Sequence, residues 1–106
     1  MSIKEDAKTS RWDTAEFLKT QEDIDAYLEV AFESKDPRHI AKAIGNAARA
    51  QGMMDIARKT GLNRESLYSG LSESGNPTLK TVTAVMDSLG YDLTPVRRKK
   101  ARRLHN

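Results

Sequence analysis

The sequence predicts an all-α domain of five to six short helices, and three observations predict it. Apolar residues recur three and four positions apart through successive stretches, which is the helical period. Most of these stretches follow a residue that caps helix starts and precede a glycine or proline that ends one. No strand-rich region competes, since apolar–polar alternation occurs only briefly, around residues 91–96. A chain of 106 residues has room for one domain with a modest core. The absence of cysteine excludes disulfides and thiolate metal sites. No apolar run approaches the ~20 residues of a membrane span. The opening MSIKEDAKTS lacks the apolar centre of a signal peptide, so a cytoplasmic location is expected.

Residues 1–11 are polar and expected to be flexible, 12–94 form the helical domain, and 95–106 are a basic tail expected to be disordered when free. Asp13 is a cap with Glu16 reaching back to it, and Trp12, Phe17 and Leu18 are expected to pack onto the domain. Thr20 caps the next helix, with Glu22 and Asp23 in its first turn. There Ile24, Tyr27, Leu28 and Ala31 form the apolar face, and Glu22, Asp25, Glu29 and Glu33 make the opposite face acidic. Asp36 caps a third helix that Pro37 opens, where its missing N–H costs nothing. Ile40, Ala43, Ile44, Ala47 and Ala48 line that helix, and Gly52 ends it. His39 near its start is read as a surface residue.

The stretch Met53 to Leu71 reads as two short helices joined by a tight turn. Ile56 and Ala57 give the first an apolar side. Gly61 supplies the positive φ of a sharp turn, and Leu62 plugs the angle. Asn63 caps the second helix, Glu65 suits its positive end, and Leu67 and Leu71 form its buried seam. Arg64, Glu65, Tyr68 and Ser69 remain exposed. This is helix-turn-helix spacing, in which the second helix enters the DNA major groove N-terminus first. Gly75 is placed at the turn of the following loop, Asn76 as a cap and Pro77 as the first residue of a last helix. Leu79, Val82, Val85, Met86 and Leu89 line that helix, and Gly90 closes it. Residues 91–96 are a short strand or an irregular arm, limited by Pro95.

Charge is unevenly distributed. Residues 1–36 carry ten acids and five bases, whereas the chain from residue 93 onward carries six bases and no acid. An acidic front and a basic rear imply two different partners.

The run IARKTGLNRESLYSGLSESGNPTLKTVTAVMDSLG resembles the lambda-repressor-like helix-turn-helix domain. More closely, the chain resembles the addiction-module antidote proteins, small antitoxins encoded beside a toxin of the RelE/ParE superfamily. Three segments carry the likeness: GL-x-RE-x-LY from Gly61 to Tyr68, GNP from Gly75 to Pro77, and FL-x(5)-DI-x-x-YL-x-x-A from Phe17 to Ala31. The resemblance implies a type II antitoxin that binds its toxin and represses its own operon as a dimer. It places DNA contacts at Asn63, Arg64, Glu65, Ser66, Tyr68 and Ser69, with Asn76, Thr78 and Lys80 at a backbone-contacting position. There is one departure. The phosphate-binding glutamine that often starts the motif's first helix is Met53 here, with Gln51 two residues earlier.

Enzyme chemistry finds little support, because there is no cysteine nucleophile, no metal-ligand spacing and no phosphate loop, and no cofactor is expected. Arg64 can bond guanine O6 and N7 bidentately. Glu65 can accept from cytosine or simply stabilise the helix start, and Tyr68 can reach a phosphate or thymine methyl or be a half-buried core aromatic. Arg58 and Lys59 end the first helix and can meet the DNA backbone. A single small domain binds weakly, so a homodimer on half-sites roughly 34 Å apart is expected, using the last helix and the 91–96 arm. Glu22, Asp25 and Glu29 are the expected toxin-facing residues. The alternatives are an interaction adaptor that uses the helix-turn-helix as scaffold, and a transcriptional regulator without a toxin.

Overall fold

The computed structural model describes residues 17–72 and 74–98. The expectations for Trp12, for the Asp13–Glu16 cap and for the basic run beyond Arg98 lie outside the described residues. Five helices are delimited among the described residues, in order: α1 Gln21–Ser34, α2 Pro37–Gln51, α3 Met53–Thr60, α4 Arg64–Gly70 and α5 Leu79–Ser88. No strand occurs among the described residues, and 91–98 run as an irregular arm.

Local chemistry sets the starts of the helices. Thr20 and Asp23 form a reciprocal capping box on α1. The threonine hydroxyl accepts from Asp23 N at 3.1 Å, and the Asp23 carboxylate accepts from Thr20 N at 3.1 Å. Asp36 Oδ1 accepts from Arg38 N at 3.0 Å, with Pro37 as the first residue of α2. The last helix departs from its expected start. Thr78, not Asn76, is its cap, with Oγ1 accepting from Thr81 N at 3.1 Å. Pro77 therefore stays in the extended segment before α5 instead of opening it. Leu79 becomes the first helical residue and is 74% exposed, so it is not part of the buried face. Gly75 sits at the expected turn, its N–H donating to Ser72 O at 3.0 Å, and it meets a second need as well. A Cβ there would stand 2.2 Å from Ser69 O and 2.3 Å from Gly70 O, so the loop lies directly against the end of α4.

α2 is the hub and contacts the other four helices. Its Ala43, Ile44, Ala47 and Ala48 are wholly buried, and small side chains let neighbours approach closely. The approach is close at Gly45, where a Cβ would stand 2.2 Å from the carbonyl oxygen of Leu71. Around the hub pack Ile24, Leu28 and Ala31 of α1, Met53 and Ile56 of α3, Leu67 and Leu71 at α4, and Val85 and Met86 of α5. Leu18 joins this core, whereas its neighbour Phe17 is 74% exposed and does not pack as expected. Phe17 directly precedes the two non-helical residues leading to the Thr20 cap, and that entry brings only Leu18 to the core.

Candidate functional site

The α3–α4 pair is a helix-turn-helix built as its residues require. Gly61 takes φ +76°, and its N–H donates to Ala57 O at 2.8 Å. The Thr60 hydroxyl donates to Ile56 O at 2.8 Å and accepts from Leu62 N at 3.2 Å, bracing the turn from its own side chain. Leu62 is half-buried against the core, as a plug between the helices. Asn63 Oδ1 then accepts from Glu65 N at 2.7 Å and Ser66 N at 3.1 Å. Leu67 and Leu71 anchor α4 inward. Arg64, Glu65, Ser66, Tyr68 and Ser69 are left on its solvent side.

The remaining residues expected at DNA divide into two groups. Asn76 sits in the loop that Gly75 presses onto the far end of α4, and Thr78 and Lys80 begin α5; all three are exposed. Thr78 spends its hydroxyl on the cap. Arg58 and Lys59 share one aspartate on their own helix: the Arg58 guanidinium pairs with Asp55 Oδ1, and Lys59 Nζ stands 3.3 Å from Oδ2. The Lys59 hydrogen bond chiefly holds the Asp55 carboxyl below the usual range, with the charges of Lys59 and Arg58 adding to it. These two cations therefore carry a local counter-charge on their own helix. Met53, in the place of the usual phosphate-binding glutamine, is buried in the core.

Two residues enter the site from α2 that sequence reasoning missed. Arg49 lays its guanidinium over the Tyr68 ring, 5.6 Å from the centroid, and donates to Gly45 O at 3.1 Å. It also reaches Asn46 Oδ1 at 3.5 Å, while Asn46 Nδ2 donates to Tyr27 Oη at 2.8 Å. Asn46 is 1% exposed, the one buried polar side chain among the described residues. A polar chain thus runs from Tyr27 on α1, through the core, to Tyr68 on α4. The signal was an asparagine inside an apolar run, which must find partners when buried.

Glu22, Asp25 and Glu29 are exposed along α1, as expected. Asp25 is nevertheless engaged. It accepts from Tyr91 Oη and, at 3.1 Å, from Gln21 Nε2. These bonds, Tyr91 first, hold its carboxyl below the usual range. Gln21 Nε2 also donates to Tyr91 Oη at 2.9 Å. Burial first, and Asp25 second, push the Tyr91 phenol up to about 12. The three side chains latch the arm after α5 onto the first turns of α1.

Among the described residues no group of His, Asp or Glu side chains is placed to hold a metal ion. No helix among them is long and apolar enough to cross a membrane.

Fold and motif together define a small all-α helix-turn-helix protein. Residues 8–97 match the model of a family described as "Probable addiction module antidote protein". A protein of Haemophilus influenzae Rd, named only as uncharacterized, is 44% identical over 78 residues, covering 74% of this chain and 80% of its own. No solved structure matches. The chain belongs to the addiction-module antidote family.

Proposed function

We propose that this antidote neutralises a toxin of the RelE/ParE superfamily and represses its own operon by binding operator DNA as a dimer through α4. The observation that carries the DNA reading is Arg64. It is the first residue of α4, exposed beside the Asn63 cap, on a helix whose opposite side is anchored by Leu67 and Leu71. A guanidinium there can bond guanine O6 and N7 with both arms of its fork. Arg49 extends the positive surface alongside Tyr68. The family supports the toxin partner, and the acidic face of α1 supplies the field that a basic toxin would meet. Non-enzymatic action and a cytoplasmic location fit this role.

The test is a gel shift on the DNA upstream of the gene, across a salt series, with and without the protein encoded beside it. Tight, salt-dependent binding to that DNA over random DNA supports the repressor reading. Rescue of growth when the neighbouring reading frame is expressed supports the antitoxin reading. Rescue without DNA binding would leave an interaction protein on a helix-turn-helix scaffold.

A further inference from the structure

Between α1 and the arm that follows α5 lies an open groove of about 340 Å³. Leu28, Phe32, Met86 and Leu93 supply its apolar lining, and Asp25, Glu29 and Asp92 are its charged residues. No lysine, arginine or histidine lines it. The space suits one or two side chains, being at the bottom of the ~300–1,000 Å³ range of small-molecule sites. Its chemistry is unsuited to nucleic acid, because three carboxylates would face the phosphates. The Asp25–Tyr91 latch holds the arm that forms one wall.

We propose that the antidote grips its toxin here, seating an apolar side chain of the toxin against Phe32, Met86 and Leu93 while lysines or arginines flanking it meet Glu29 and Asp92. The proposal rests on the antidote reading for the existence of a toxin partner. It adds where that partner is held and what kind of segment it offers. Charge complementarity selects the occupant: only a basic segment relieves the carboxylates, and only an apolar anchor fills the space between them. Glu29 and Asp92 steer and orient, whereas the desolvated apolar contact carries the affinity.

The test uses the full ¹⁵N-labelled chain and a blocked hexapeptide, Lys-Arg-Leu-Phe-Arg-Lys, followed by amide shifts. Saturable shifts at Phe32, Met86 and Leu93 are expected. They should vanish when the peptide's Leu-Phe is Ser-Ser, and again when its four cations are glutamates. Asp92→Lys should weaken the peptide about five-fold, the size of one rim charge pair. Absence of shifts at these residues, or equal binding of the control peptides, overturns the proposal. So does movement of the same amides, with no peptide present, when the six basic residues from Arg97 to Arg103 are made serine in the full chain. That result would make the chain's own tail the occupant. In parallel, Leu93→Ser is tested for growth rescue against the toxin encoded beside the gene, and should rescue less while its amides outside the groove keep their shifts. Full rescue by Leu93→Ser overturns the groove alone. Failure of the unaltered chain to rescue overturns the antitoxin reading, and the peptide result stands or falls separately.

Discussion

At the scale of single residues, Arg64 and Asp25 carry the sharpest expectations. α4 has one basic residue, Arg64, and it stands at the helix start. If it reads guanine, Arg64→Ala costs about 1–3 kcal/mol on the operator and less on random DNA. Arg64→Lys should restore random binding more than operator binding, since lysine keeps the charge and loses the fork. Isotherms on both DNAs at one salt concentration decide the matter; equal losses would falsify base reading and leave a phosphate contact. The sequence pointed to Arg64 through local signals alone, the Asn63 cap and the two-leucine seam. It did not point to Arg49, because the contact with Tyr68 spans two helices and depends on how α2 crosses α4. Asp25 was legible as an exposed acid, but its bond to Tyr91 joins residues 66 apart and was not. That bond has a pH window. The Asp25 carboxyl is depressed when the arm is docked, so its contribution is full above the ordinary aspartate value of about 3.9 and is lost as pH falls through the lower, docked value. The Tyr91 phenol is raised, so its contribution is full below about 10 and is lost as pH rises toward about 12. Amide shifts of Tyr91 and Leu93 should therefore hold steady between these limits and move outside them. In Asp25→Asn the acid limb should disappear.

At the scale of elements, capping chemistry and helical period made α1 to α4 readable. Thr20, Asp36, Gly61 and Asn63 each act within four residues of where they stand, so no knowledge of the tertiary fold is needed. The start of α5 was misread because two good signals competed. Asn-Pro at 76 and 77 is a start signal, but the Thr78 hydroxyl reaches Thr81 N and sets the first turn two residues later. Gly75 and Gly45 show the other limit of local reading, since both are required by a backbone passing close by, which a sequence does not display. Gly45 gives a clean test. Alanine in a helix interior is favoured over glycine by roughly 1 kcal/mol. Here the added Cβ would meet a carbonyl oxygen of Leu71 at 2.2 Å, and neither backbone can step aside cheaply. The clash should win, with a net loss of about 1–3 kcal/mol, the usual cost of overpacking. Urea unfolding of Gly45→Ala would show this as a lower midpoint at unchanged slope. A raised midpoint would mean that α2 and α4 slide apart with little cost.

At the scale of the whole molecule, charge is unevenly distributed along the chain. The basic residues from Arg97 to Arg103 follow the arm, and residues 1–36 carry the acidic excess. Removing 97–106 should weaken binding to operator and random DNA alike and flatten the salt dependence, since phosphate contacts carry no sequence information. An unchanged affinity and slope would show that the tail takes no part. The acidic face of α1 should act on rate instead of specificity. Charges spread along an exposed helix are screened pairwise and contribute little to a formed contact. Their summed field reaches an approaching basic protein over about a Debye length, roughly 10 Å at 0.1 M salt. The structure changes which residues test this. Asp25 is bonded to Tyr91 and Gln21, so reversing it would also release the arm and confuse loss of field with loss of shape. Glu22, Glu29 and Glu33 stand exposed on the same helix, and no hydrogen bond or ion pair within the described structure needs them. Changing all three to lysine shifts the net charge from +3 to +9, with the α1 face reversed. Association with the toxin at low salt should slow by about ten-fold or more, the lower end of what electrostatic steering supplies. The difference should shrink toward nothing as salt rises, and operator affinity should hold or improve with the added positive charge. Stopped-flow mixing with the toxin at several ionic strengths reads all of this, and an association rate unchanged at low salt would remove α1 as the approach surface.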